Sequence, residues 1–282
     1  MTDSARSERM AMRLKSDYNF LVDHGYEVVG VFNYGSDNYG METESSDIDT
    51  KAIVLPKFDD IVDSKEWVSK DYAREEDGGK LDVKDIRLMF NSYLKQNINF
   101  LETLFTAYYR LNDEYAPVVM GVLQKEAEKI ARYNPLKAIL TMYGNMKMKY
   151  KALFHEAPHS VEQITKYGYS LKDFHHMARL LDFMQRYMQG EKYEDILIPN
   201  NKELILSYKT VALPVDEVKE KADIMMNEAT ALADDAANKW KDLKPNVEVE
   251  EMLQKVQRNF IAHSLQKELC AEGKDFPIWG RL

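Results

Sequence analysis

The spacing of apolar and polar positions changes character along the chain. Residues 4–24 place Met10, Met12, Leu14, Tyr18 and Leu21 at helical intervals and stop near Gly25, which predicts an N-terminal helix. Residues 27–34 (EVVGVFNY) form a β-rich run that ends at Gly35, and residues 47–55 (DIDTKAIVL) form a second, closed by Pro56. A third short strand is predicted over 80–84, after the turn signal Asp77-Gly78-Gly79. From Asp85 onward the period is helical, with helices predicted at 86–96, 99–108, 115–133, 136–152, 170–189, 202–208, 215–238 and 248–271. A further helix follows Ser160, which has Gln163 three residues on in the manner of a capping box. The pattern predicts an α+β protein: a small mixed-sheet domain over residues 1–110, then a mainly helical domain over 111–282.

Composition narrows what such a chain can do. It has 282 residues, 45% hydrophobic and 30% charged, which is enough to bury a core without staples. No run approaches the ~18 uncharged apolar residues of a membrane span, and Asp3, Arg6, Glu8, Arg9, Arg13 and Lys15 break up the N-terminus, so neither a membrane anchor nor a secretory leader is expected. The one cysteine, Cys270, cannot form an internal disulfide, in keeping with a cytoplasmic location. A net charge of −9 argues against a protein that coats duplex phosphates. Between Lys129 and Arg186, however, ten Lys and Arg stand against four Asp and Glu. This basic window suits either a phosphorylated ligand or a solvated helix face.

The candidate chemistry lies between the first two predicted strands. Gly35 and Ser36 close the first strand, and a spacer of ten residues leads to Asp47-Ile48-Asp49. Alternation along a strand sends Asp47 and Asp49 to one face and Ile48 to the other. Two carboxylates one pleat apart repel unless a cation lies between them, and oxygen ligands favour Mg²⁺ or Mn²⁺. Gly35 allows close backbone approach to a phosphate, and Ser36 adds a hydroxyl. If the strand of Leu81-Asp82-Val83 pairs beside the second, Asp82 supplies a third carboxylate and two ions can be held. Lys172, His176 and Arg179 sit at i, i+4 and i+7, one face of a helix, and suit the phosphates of a nucleotide. Glu102 either pairs with one of these basic groups or lies on the surface. The pattern His155-Glu156-Ala157-Pro158-His159 looks like a zinc-protease motif, but Pro158 breaks the helical face that motif needs, so a loop is expected.

This ordered set resembles the minimal signature of the DNA polymerase β nucleotidyltransferase superfamily. More narrowly, the chain is similar to the RNA repair pathway DNA polymerase beta family over about residues 25–235. The similarity rests on Asp82-Val83-Lys84-Asp85-Ile86-Arg87, on the block from Lys95 to Phe105, and on the helix from Tyr169 to Leu181. Gln96 and Ile98 replace a Gly and a Pro of that family's pattern, and Ser170 replaces an Asp.

The resemblance implies an enzyme that moves a nucleoside monophosphate from an NTP to an acceptor hydroxyl and releases pyrophosphate. Asp47, Asp49 and Asp82 would hold two Mg²⁺ or Mn²⁺ ions, with Asp82 able to receive the acceptor proton. Gly35 and Ser36 would cradle the β- and γ-phosphates, and Lys172, His176 and Arg179 would neutralise the leaving pyrophosphate. The acceptor would be an RNA 3′ end or tRNA, or else a small molecule or a protein hydroxyl. The alternative from a different class is a nucleotide-binding regulatory protein without turnover.

Overall fold

The computed structural model describes residues 3–43, 46–74, 78–157 and 160–271. Helix α1 (Asp3–Asp23) ends at Gly25, whose φ of +75° suits glycine. Strand β1 (Glu27–Tyr34) follows, then a 3₁₀ turn over Ser36–Tyr39, and β2 (Asp49–Leu55). A short α2 (Phe58–Val62), β3 (Ser69–Ala73), β4 (Lys80–Asp85) and α3 (Ile86–Leu94) come next. After α4 (Ile98–Leu101) and a 3₁₀ turn over Glu102–Leu104, the short β5 (Tyr109–Leu111) completes a five-stranded mixed sheet of order β3-β4-β2-β1-β5.

β1 and β2 are antiparallel, with Tyr34 opposite Asp49 and Phe32 opposite Lys51; β2 and β4 are parallel, with Lys51 opposite Asp82. The central strand β2 is buried along nearly its whole length, which explains its continuous apolar run. Met10, Leu14 and Leu21 of α1 cover one sheet face through Val28, Val31, Ile48, Ala52 and Leu81. Behind the start of β2, the buried Asp17 accepts from Thr50 at 2.5 Å and pairs with Arg13 at 2.8 Å. These bonds pin the strand that carries Asp49.

The rest of the chain is helical: α5 (Ala116–Val118), π-type turns over Val119–Gln124, α6 (Ala127–Ala131), α7 (Pro135–Ala152), α8 (Val161–Tyr167) and α9 (Leu171–Gln189). Then come α10 (Tyr193–Ile196), α11 (Lys202–Thr210), α12 (Val215–Lys239) and α13 (Val247–Ala271). The helix expected over 115–133 is therefore broken into α5, the wider turns and α6, and the one expected over 99–108 is only α4 with its 3₁₀ turn. The second strand begins at Asp49 rather than Asp47, and α2, β3, β5 and α10 are additions. α12 packs on α7 and α9, whereas α13 returns to the sheet and packs on α2, α3 and β2. The larger apolar core runs without interruption from Val29 and Phe32 through Phe174 and Phe183 to Phe260.

Candidate active site

A cleft of about 420 Å³ lies between the end of β1, the start of β2 and helices α9 and α11. Gly35, Ser36, Asp47 and Asp49 line one side, and Lys172, His176, Arg179 and Lys209 line the other. Gly35 has φ +95° and ψ −141°, a conformation open to glycine and costly for other residues. The turn that follows is held by Asn38 N–H to the Gly35 carbonyl (3.1 Å) and Met41 N–H to the Ser36 carbonyl (2.9 Å). Arg6 clamps Asp37 with two bonds, at 2.5 and 2.9 Å, and so ties α1 to the same turn.

Asp47 and Asp49 share the cleft, and Ile48 between them is buried in the core beneath α1. Asp49 is positioned by Asn33, whose side chain donates to its backbone carbonyl at 3.2 Å, and by Lys80 N–H, which donates to its carboxylate at 2.9 Å. Burial pushes the Asp49 pKa up; the neighbouring charge of Asp47 adds to that, against the Lys80 N–H and Lys172. Hard oxygen donors whose like charge is only partly offset by the Lys80 N–H and Lys172 fit a divalent cation that takes its remaining ligands from phosphate and water.

Asp82 is placed differently. β4 does lie beside β2, but the Asp82 carboxylate forms ion pairs with Lys51 and, at 2.7 Å, with Lys84, and it does not line the cleft. Burial raises its pKa, yet the two lysines outweigh burial and hold it below the ordinary carboxylate value. Lys51 is itself buried, with its ammonium over the rings of Tyr34 and Phe100. Among the described residues no three His, Cys, Asp or Glu side chains form a ready-made metal cage.

The opposite wall comes mainly from α9, which Ser170 caps by accepting Asp173 N–H at 3.2 Å and which Lys149 ties to α7 through Asp173 at 2.9 Å. Arg179 is buried, its guanidinium 3.8 Å from the centroid of the Tyr39 ring, and its Nε and Nη1 have no hydrogen-bond partner. Buried donors left free are uncommon, and at the wall of a cleft they suit an anion. Burial, with Arg179 beside it, holds His176 well below its ordinary pKa, so at neutral pH it offers a neutral imidazole. His175 also borders the cleft but is held to α11, bonded through Nδ1 to the Ile205 carbonyl at 2.8 Å, and burial lowers its pKa to about 4.

Two cleft residues were not legible in the sequence as site residues. Lys209 of α11 reaches Ser46 Oγ at 3.3 Å, and burial together with Lys172 lowers its pKa. It falls one residue past the helix expected over 202–208, and no motif marks it. Glu102, left open above, is fully buried and faces the Gly35–Tyr39 turn. Of the zinc-like pattern, His155 and Glu156 lie beyond the end of α7, while Pro158 and His159 lie outside the described residues, as do Ser45 and Asp77.

No protein-family model matches the chain, and no curated protein matches it. Among solved structures it is similar to a nucleotidyltransferase-like protein from Exiguobacterium sibiricum 255-15, at 13% identity and a TM-score of 0.31, over 95% of this chain and 92% of that one. Likeness at that level leaves function to the site itself, and the narrower resemblance to the RNA repair family rests on its sequence blocks alone. Among the described residues no helix is long and apolar enough to cross a membrane.

Proposed function

We propose that the protein is a metal-dependent nucleotidyltransferase. An acceptor hydroxyl oxygen attacks the α-phosphorus of an NTP and gives up its proton to solvent water, the bond from that phosphorus to the α,β-bridging oxygen breaks, and pyrophosphate leaves. The observation that carries this reading is the opposition of Asp47 and Asp49 to Lys172, Arg179 and Lys209 across one 420 Å³ cleft. One wall suits a cation and the other suits phosphate.

Asp47 and Asp49 would hold Mg²⁺ or Mn²⁺, which when bound draws charge from the reacting phosphate and eases loss of the acceptor proton. Arg179 would direct its free Nε and Nη1 donors at the leaving pyrophosphate. Lys172 and Lys209 would add charge, and His176 would donate a hydrogen bond as a neutral ring. Ser36 would meet a phosphate oxygen at the turn. Asp82 would join a second ion only by releasing Lys51 and Lys84. Catalysis would rest on positioning and electrostatics, because no side chain need form a covalent bond.

The motif resemblance favours an RNA end as acceptor over a small molecule or a protein hydroxyl, while Lys129, Arg132, Lys149 and Arg186 of the basic window are engaged in ion pairs within the protein. Incubation with each α-labelled NTP, with and without tRNA, tests both parts. Label in RNA supports the full reading, and label on protein or on a small molecule moves the acceptor. NTP binding without pyrophosphate release under any condition would replace the enzyme by a nucleotide-binding protein.

A further inference from the structure

Glu102 has no exposed surface, yet it is a carboxylate in the 3₁₀ turn after α4, beside a cleft whose proposed chemistry gives it no task. Its Oε2 accepts Gly35 N–H at 2.8 Å and Asn38 Nδ2–H at 3.0 Å, and its Oε1 accepts the Tyr39 hydroxyl at 2.6 Å. All three donors belong to the single turn that borders the cleft. Burial pushes the pKa of Glu102 up, and the three donors and the charge of Arg179 oppose it. A buried carboxylate is unfavourable as core filling and is tolerated where donors need it.

The same network reaches the cationic wall. Tyr39, fixed by its bond to Glu102, presents its ring face to the Arg179 guanidinium at 3.8 Å. The Gly35 N–H points inward to Glu102, which fixes the positive φ of +95° that glycine permits and turns Ser36 toward the cleft. One carboxylate therefore sets both the backbone of the turn and, through one aromatic ring, the guanidinium opposite.

We propose that Glu102 is the positioning residue of the phosphate-binding half of the cleft, locking the Gly35–Tyr39 turn and, through Tyr39, aiming Arg179 at a polyphosphate. The proposal rests on the nucleotidyltransferase reading for the ligand but not for the lock. Glu102 touches no substrate; it acts through the turn and Arg179.

The test uses the full chain, Glu102→Gln, Tyr39→Phe and the double variant. Hydrogen exchange of the free protein reads the lock, and equilibrium binding of inorganic tripolyphosphate with Mg²⁺ reads the consequence without involving a base or an acceptor. Glu102→Gln is expected to speed exchange over residues 33–41 only and to weaken tripolyphosphate binding about tenfold, the scale of one lost charged hydrogen bond. Tyr39→Phe, which deletes one hydroxyl and keeps the ring, should shift both readouts the same way by about threefold, and the double variant should add little to Glu102→Gln. Unchanged exchange in Glu102→Gln, exchange raised throughout the chain, or wild-type binding in both single variants would overturn the proposal. Should Glu102→Gln fail to fold, Tyr39→Phe alone decides by the same readouts. Wild-type protein that binds neither tripolyphosphate nor any NTP would instead overturn the reading of the cleft, whatever the exchange shows.

Discussion

Lys51 and Asp82 stand opposite each other on neighbouring parallel strands, and their side chains meet in a buried ion pair beneath the rings of Tyr34 and Phe100. The pair separates the three carboxylates of the signature into two kinds. Asp82 is neutralised by the protein's own cations, whereas Asp47 and Asp49 face each other's charge.

Removing the Asp82 charge leaves Lys51 buried without its counter-ion. Asp82→Asn should lower stability on the order of 3 kcal/mol, as expected when one partner of a buried pair is deleted. Urea unfolding checks this, and a wild-type midpoint would show that the pair contributes nothing.

Asp49 should behave in the opposite sense. Its raised pKa means that folding favours the protonated form, so the stability it contributes is present below its ordinary pKa and is lost as pH rises through its folded value. At neutral pH the ionised carboxylate is a cost that an amide relieves. Asp49→Asn should match or exceed wild type in thermal stability while losing nucleotidyl transfer. A variant as destabilised as Asp82→Asn would contradict the distinction.

His175 sets a pH dependence. Its folded pKa of about 4 lies below the ordinary 6.5, so its contribution is present above pH 6.5 and is lost as pH falls toward 4. The loss across that window is about 3 kcal/mol for this one group. His175→Asn should show a shallower fall in urea midpoint between pH 6.5 and 4 than wild type, and identical slopes would remove His175 as the cause.

Lys209 reaches the cleft from α11 and meets Ser46 on the other side. Lys209→Ala should raise KM for the NTP about tenfold with a smaller change in kcat, as expected when a contact made equally in ground and transition states is lost. Unchanged KM would place the lysine outside the nucleotide site.

The legible parts of this fold are those where one local pattern dominates. β1 and β2 carry apolar runs bounded by turn residues, β4 alternates Leu81 and Val83 with charged residues after a glycine turn, and α7, α9, α12 and α13 repeat apolar positions with caps such as Asn134 and Ser170. β3 is a largely exposed edge strand of polar residues and β5 has three residues, so neither leaves a periodic trace. The interruption at Val119–Gln124 is invisible because its apolar spacing still reads as one helix.

The placement of Gly35, Asp47 and Asp49 at one cleft is readable because each lies at or next to its own strand end. The capture of Asp82 by Lys51 was not, because it follows from register across β2 and β4. Glu102 and Lys209 matter through contacts 67 and 163 residues away in sequence, which no local spacing encodes. Gln96 shows how a departure is absorbed: at φ +55°, where the resembled block has glycine, its side chain bonds the Tyr93 and Ile130 carbonyls at 2.8 and 2.9 Å.

The most direct test follows pyrophosphate release from each NTP by wild-type and Asp49→Asn protein, with Mg²⁺ or Mn²⁺ and with RNA, protein extract or small hydroxyl compounds as acceptors. Wild type should release pyrophosphate in a metal-dependent manner with at least one NTP and acceptor, and the variant should lose at least a hundredfold, the scale of removing a transition-state electrostatic contact. Equal release by the two proteins, or release by wild type that survives metal chelation, would contradict the nucleotidyltransferase reading.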